Sequence, residues 1–353
     1  MTTPSGQISL DDVNVELDIS PGTQINMNAA PVRALAEVPT GAIAMSDLQG
    51  KSNAQFVTAS GGTETTSGDF KIHTFNSSGT FTVNSAGNPA GSTTVDFLVV
   101  AGGGGGGQSP NNANDQHTGG AGAGGMRFSF PNPATGGTPV SAQGYPISVG
   151  GGGRQNASNF PYGGTGGSSS ALSISTSGGG TGGSGMSPNN DTRFGRPGGS
   201  GGGGRGFQPF NDPTIGQGNV GGFSPPEGNR GGSGGSYFGA GGGGHGAVGS
   251  SVSPDNTTNG PGGPGGAGTA LNITGSSVTY AGGGAGSSGF PGKSGGSGGA
   301  GGGGSGAPGN SPSGSSGTAN TGGGGGGDSR NPGGASARPS GGSGVVVIRY
   351  KFQ

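Results

Sequence analysis

The residues that could do chemistry are few and far apart in this 353-residue chain. Its three histidines, His73, His117 and His245, are isolated in sequence, and there is no cysteine. No thiolate metal site or disulfide framework is therefore available. Asp115 and His117 are close enough in sequence to share a site, but the polarity of a loop explains the pair better. Gly-Lys-Ser occurs at Gly50–Ser52 and at Gly292–Ser294. A phosphate-binding P-loop also needs a glycine five positions before its second glycine. Those positions hold Met45 and Ser287, so both matches fail. G-x-G-x-x-G spacings recur only because glycine is abundant, and they lack the strand–turn–helix context of a dinucleotide site. No serine elbow lies between a strand and a helix. The expectation is a non-enzymatic protein with no catalytic residues, no metal and no cofactor. Convergence of the histidines along an oligomer axis is the one route left to an ion site.

The side chains suited to recognition are aromatic. Phe128 with Phe130, Phe160 with Tyr162, Phe207 with Phe210, and Tyr237 with Phe238 interrupt a glycine-rich background beside Asn, Ser and Pro. Such segments combine rigid contact area with adaptable hydrogen bonding. Arg154, Arg193, Arg196, Arg205 and Arg230 accompany several of them, and Tyr and Arg are favoured at interface hot spots. These eight aromatics are the candidate binding residues. The competing reading is that they cap glycine layers and supply what core there is.

What must position them is unusual. All but ten of the 98 glycines fall between Gly102 and Gly344. This tract is entered by the apolar segment Val95–Val100 and left by Val345–Tyr350. A flexible linker has no use for strand-like clamps, so an ordered glycine domain is expected. With 25% hydrophobic residues, side-chain burial cannot hold it. Backbone N–H and C=O groups must pair between segments. The polyproline II conformation suits this, having no internal hydrogen bonds, and glycine permits close backbone approach. Collagen is excluded because the six-glycine runs Gly102–Gly107 and Gly322–Gly327 break its strict period. Glycine runs should traverse back and forth, with interruptions at turns or rims.

The remaining elements frame the tract. Phe70–Phe75, a turn at Ser77–Gly79, and Thr80–Val83 read as a β-hairpin. Val95–Val100 and Val345–Phe352 would join it in one small antiparallel sheet. Further strand-like pieces are Tyr145–Val149, Leu271–Ile273 and Val278–Tyr280. Residues 58–69 read as a Gly/Ser/Thr linker. In residues 1–57, Ile8–Leu10 and Val13–Leu17 alternate like half-buried strands. Ala30–Ala36 reads as a helix, with Pro31 in its first turn, and Ser46–Leu48 as a further helical turn. This segment looks too small for a core of its own. It is expected to attach to a partner through Val32, Leu35, Met45 and Leu48. The fold class is thus mainly β and irregular: an antiparallel sheet framing packed polyglycine II helices (70–353), with a small N-terminal segment.

Balanced charge, 14 basic against 15 acidic residues, gives no electrostatic case for nucleic acid. No apolar run approaches a membrane span. The opening residues lack the regions of a signal peptide, so a soluble protein is expected.

The segments HTFNSSGTFTV, VDFLVVAGGGGGG, NTGGGGGG and GGSGVVVIRY (residues 73–350) together resemble the glycine-rich domain of bacteriophage tail-fibre and related virion proteins. In style they are similar to the tip adhesins of T-even-like phages, in which polyglycine II helices form a packed sandwich and end loops bind host receptors. The stretches SGQISLDDVNVEL and VRALAEVPTGAIAMSDLQGKS resemble the opening of many phage structural proteins, cyanophage ones among them. The resemblance implies a virion location, other tail or virion proteins as partners, a homo-oligomer with a trimer favoured, and a host-surface receptor. A non-adhesive assembly or decoration role stands as the alternative.

Overall fold

The computed structural model describes residues 2–108, 117–130, 137–154, 163–185, 194–206, 216–253, 260–309, 311, 313–329 and 339–353. The N-terminal segment is helical. Helix α1 spans Leu10–Glu16, α2 spans Ala30–Ala36, and a 3-10 turn spans Met45–Leu48. The expected strands around Ile8–Leu17 are overridden by a capping box. Ser9 Oγ accepts the Asp12 N–H at 3.2 Å, and the Asp12 carboxylate accepts the Ser9 N–H at 2.7 Å. This reciprocal pairing satisfies first-turn donors and starts a helix. The segment also has the core that its size argued against. Val13, Val32, Leu35, Ala36 and Leu48 are buried together, with Met45 half-buried beside them. Thr3 closes the module by exchanging backbone and hydroxyl hydrogen bonds with Lys51. The buried Glu16 carboxylate holds the exit, accepting the Asn53 N–H at 2.7 Å.

Two sheets follow. The strands are β1 (Val57–Ser60), β2 (Thr63–Ser67), β3 (Phe70–Phe75), β4 (Gly79–Ala86), β5 (Thr94–Val100), β6 (Met126–Phe128), β7 (Thr138–Pro139) and β8 (Gly144–Ile147). After them come β9 (Ser169–Ala171), β10 (Ile174–Thr176), β11 (Thr269–Leu271), β12 (Val278–Tyr280) and β13 (Val345–Lys351). The larger sheet has the order β2-β3-β13-β5-β6 with β7 beside β5, and the smaller has the order β1-β4-β8. Strand pairs β9–β10 and β11–β12 are separate ladders.

The expected β3–β4 hairpin does not form. β13 takes the pairing edge of β3, with Ile348 opposite His73, and the chain crosses to the other sheet between Phe75 and Gly79. Both Phe75 and Phe81 then face the core between the sheets. The expected linker is likewise structured: β1 and β2 are joined by a corner at Gly61 and Gly62. Gly61 has φ +114°, and a Cβ there would lie 2.1 Å from the Thr80 carbonyl oxygen. β13 is buried on both faces. Val346, Ile348 and Tyr350 enter the inter-sheet core, and Val345 and Val347 enter a second core with Ile72, Leu98, Met126, Leu271 and Tyr280. A strand covered on both sides reads as a continuous apolar run, which explains Val345–Ile348.

The glycine runs form a lattice with a three-residue repeat. Gly102 and Gly105 donate to Gly167 and Gly164; Gly103 and Gly106 donate to Gly342 and Pro339; Gly104 and Gly107 donate to Gly122 and Gly119. Carbonyls of the same run accept from Gly179 and Gly182, from Gly153, and from Gly325 and Asp328. One run thus bonds to six others and makes no bond within itself. Three residues per turn without internal hydrogen bonds is the signature of the polyproline II helix. The runs 119–125, 239–245 and 281–288 are surrounded in the same way, and nearly every residue in them is buried. Glycine is required there on steric grounds. An added Cβ would lie 2.1 Å from the Gly323 oxygen at Gly103, 2.2 Å from the Gly284 oxygen at Gly120, and 2.1 Å from the Gly325 oxygen at Gly284.

Outer runs show where side chains are allowed. In residues 261–267 the exposed positions are Pro261, Pro264 and Ala267; in 294–300 they are Ser294, Ser297 and Ala300. Every third residue of an edge helix faces outward, and those positions carry the non-glycine residues.

The inter-sheet core contains a polar centre. His73 is fully buried, its Nδ1 2.7 Å from the Gly61 carbonyl and its Nε2 3.1 Å from the Tyr350 hydroxyl. Since a carbonyl only accepts, Nδ1 carries the proton and Tyr350 donates to Nε2. The Tyr350 oxygen in turn accepts the Ala59 N–H at 3.1 Å. Burial lowers the His73 pKa, against a smaller opposing effect of the Gly61 carbonyl, and pushes the Tyr350 pKa up to about 12. Burial also lowers the pKa of His245.

Two outcomes follow from this architecture. Gly284→Ala should cost more than about 3 kcal/mol in denaturant unfolding, because the clashing atom is backbone, whereas Ser297→Ala on an outer run should stay within about 0.5 kcal/mol. For pH, the unfolded chain takes up protons near 6.5, while the folded chain keeps His73 and His245 neutral to lower pH. Stability should therefore be level between about pH 7 and 9 and fall as pH drops through 6.5 toward the folded values. Melting temperature against pH measures this, and His73→Gln should flatten part of the slope.

Candidate functional site

The traverses share two ends. Ala101, Gly125, Ser177 and Ala281 mark the sheet end, where Ala101 donates to Gly125 and Gly125 to Ser177. Opposite them is a far end marked by a hydrogen-bonded layer: Gly107 donates to Gly119, Gly119 to Gly183, Gly206 to His117, and Ser287 to Thr118. The described residues that flank 109–116, 155–162, 186–193, 207–215, 254–259 and 330–338 all lie toward this far end. Antiparallel runs joined in sequence have no other choice once the sheets occupy the near end. The predicted residues Phe160, Tyr162, Phe207 and Phe210, with Arg193 and Asp115, fall outside the described residues, but the chain enters and leaves their segments at the far end.

Tyr237 and Phe238 lie in a far-end turn closed by the Gly235 N–H to the Phe238 carbonyl at 3.0 Å. Their environments differ. Phe238 is fully buried, so the exposed position expected for it is not observed. Its ring lies 6.0 Å from Phe290, and its backbone bridges to Ser288, which pins the turn to the lattice. Tyr237 is half-buried, 4.7 Å from Phe290 with the planes inclined at 59°, and 5.8 Å from His117. His117 is itself buried against glycine: a Cβ on Gly289 would fall 1.6 Å from its ring. The outward part of this cluster is thus the half-buried pair Tyr237 and Phe290. Sequence reading missed Phe290. The available signal was Phe290-Pro-Gly, which repeats the Phe160-Pro pattern.

Phe128 and Phe130 are at the opposite end and are not loop tips. Phe128 is in β6, paired with Leu98 of β5, and its ring lies 5.9 Å from His245. Phe130 is buried in the second core, with the Arg349 guanidinium 5.0 Å from its ring. Tertiary pairing with β5 recruits an aromatic segment that composition alone places in a loop. The attachment candidates Val32, Leu35 and Leu48 are buried in their own module and Met45 half-buried, so they build that core instead of a contact surface. Among the described residues, the large exposed apolar side chains of the module are Leu10 and Val15 on α1. Among the arginines, Arg154 is exposed and Arg205 half-buried near the far end, Arg196 lies partway along its run, and Arg230 is exposed nearer the sheets.

The histidines do not converge within one chain. His73 is between the sheets, His117 is at the far end, and His245 bonds the Thr269 hydroxyl at 2.7 Å beside β11. Among the described residues, no three His, Cys, Asp or Glu side chains form a metal-binding group, and no helix is long and apolar enough to cross a membrane. The lattice thus carries the half-buried Tyr237 and Phe290 at its far end, where the chain also enters and leaves several connecting segments.

No curated protein sequence matches the chain. A family described as a glycine-rich domain matches residues 74–351. That span begins within β3, ends at the last residue of β13, and takes in the whole lattice between them. With the match covering well over half its length, the chain belongs to this glycine-rich domain family.

Proposed function

We propose that this chain is a bacteriophage virion protein, a tail-fibre or spike component that displays far-end segments to a host-surface receptor. The observation that carries the reading is polarity. The folded N-terminal module leads into β1 at the sheet end, tied there by Asn88, whose Oδ1 accepts the Gln55 N–H at 2.9 Å and whose Nδ2 donates to the Asn53 carbonyl at 2.7 Å. Tyr237 and Phe290 lie at the other end of the lattice, where the chain also enters and leaves the segments 155–162 and 207–215. Rigid scaffolds that carry variable connections at one end are a common route to recognition. Attachment to the particle falls to the outer face of α1, where Leu10 and Val15 are 44% and 39% exposed, and association of copies, as a trimer by the fibre resemblance, belongs to the same proposal. The assembly or decoration role uses the same polarity with a virion partner in place of the receptor.

Purified protein should bind intact host cells, and Tyr237→Ala with Phe290→Ala should weaken binding by about 30-fold, the effect of losing roughly 2 kcal/mol at a hot spot. Melting temperature and oligomer size should stay close to wild type. Binding that survives both substitutions removes the far-end aromatics from the contact. Absence of binding across candidate hosts, with retention on virion particles, selects the assembly role.

A further inference from the structure

The polar centre between the sheets lies at the joint that holds the N-terminal module to the lattice. β1 continues the chain from the module and belongs to the smaller sheet. β3 and β13 belong to the larger sheet, in which β5 feeds the first glycine run and β13 follows the last. His73 and Tyr350 tie the two sheets together. β1 changes register against β4 between Thr58 and Ala59, and the Ala59 N–H goes to the Tyr350 hydroxyl at 3.1 Å. That hydroxyl donates to His73 Nε2 at 3.1 Å. His73 Nδ1 donates to the Gly61 carbonyl at 2.7 Å, at the corner where β1 passes into β2. Phe81 of β4 meets the imidazole edge to face, with ring centroids 5.2 Å apart. The fully buried ring thus touches both sheets.

This chain of hydrogen bonds has room for one proton arrangement. The single Tyr350 hydroxyl proton is already given to Nε2, so a proton added to Nε2 turns that acceptor into a donor. The hydroxyl then receives two N–H groups, and its own proton loses its acceptor. An orphaned buried donor is costly, and so is an enclosed cation. Among the described residues, the charged and titratable groups that face His73 do not offset this. Glu64 of β2 lies 4.0 Å from Nδ1, but its carboxylate is 40% exposed and also meets Lys71 at 3.6 Å. Lys71, on the same strand as His73, opposes a positive ring, and burial outweighs the attraction of Glu64. Tyr350 of β13 is held neutral by its own burial. β1 and β4 face the ring with Ala59 and Phe81, which do not titrate.

We propose that His73 is an acid-sensitive clasp: its protonation parts the smaller sheet from the larger and frees β1, with the N-terminal module, while the glycine lattice stays closed. The lattice is held by backbone hydrogen bonds, which do not titrate. Opening the joint exposes the ring, which then takes up a proton as an ordinary histidine near pH 6.5. By linkage, the open fraction climbs as pH falls below that value, approaching tenfold per pH unit until the folded pKa is reached. The clasp concerns the joint and is independent of what the far end binds.

The test is amide hydrogen exchange of the full chain at about pH 7.5 and 5.5, corrected for the direct effect of pH on exchange. Protection of Ala59 and Val83 should fall about five- to tenfold at the lower pH, while that of Gly104 and Gly284 in the lattice changes less than about twofold. His73→Gln should abolish the difference. His245→Gln, which removes the other buried histidine of lowered pKa, should leave it unchanged. Tyr350→Phe, which orphans the Ala59 N–H, should lower protection of Val83 at both pH values. If His73→Gln does not fold, wild type and His245→Gln still decide the matter. Equal protection at the two pH values overturns the proposal, as does a fall shared by the lattice, one that survives His73→Gln, or one that vanishes in His245→Gln.

Discussion

The structure depends on where a polypeptide sends its N–H groups when it has no side chains to bury. In a helix or sheet the donors go along one axis or to two neighbours. Here Gly102 through Gly107 send theirs in rotation to three runs and accept from three more. This sixfold sharing satisfies the backbone without a hydrophobic core, and it requires neighbours so close that a Cβ meets a carbonyl oxygen at about 2 Å in most inner positions. Composition, burial and connectivity all follow from that requirement.

The requirement also explains the two sheets. Ordering glycine is entropically expensive, and a lattice of near-identical runs has little to fix its edges. β5 feeds the first run and β13 closes the last, and the two are paired side by side, Val100 opposite Val345. The ends of the tract are thereby brought together by a conventional apolar ladder. The β11–β12 ladder and the Phe238 anchor at the other end are local fasteners of the same kind.

Much of this was legible in the chain, for specific reasons. The clamps Val95–Val100 and Val345–Ile348 were visible because a strand buried on both faces needs an unbroken apolar run. Polyglycine II packing was legible because few other arrangements satisfy so much glycine backbone. The β3–β4 hairpin was misread, because local pattern cannot show that β13 would claim β3 from the far end of the sequence. The helix at Leu10–Glu16 was hidden by an alternation that suits either element, although Ser9 and Asp12 carried the capping signal. Phe128 read as a loop residue since its strand exists only by pairing with β5, and Phe130 is carried into the second core just beyond that strand. The period of three was in plain view as P-G-G-P-G-G-A at residues 261–267 and S-G-G-S-G-G-A at 294–300. Inner runs dilute it, because they are mostly glycine and their few alanines and serines, such as Ala121, Ala123, Ala240 and Ala285, do not keep that spacing.

The uniformity of those inner runs has a consequence for how the chain finds its alignment. Sliding Gly102–Gly107 along its axis by one turn returns every donor to the same neighbour, and no side chain within the run objects. An all-glycine run is therefore degenerate under translation, like beads on a rod. For this all-glycine run the marks at the borders break the degeneracy: Val100 in its ladder at one end, and Thr118 of the neighbouring run at the other, with its hydroxyl on the Asp328 carbonyl at 2.7 Å. For such a rod, alignment is information stored at its two ends. Residues there carry a duty out of proportion to the area they bury, and exchanging a border threonine or serine for glycine removes a ruler mark as well as a contact.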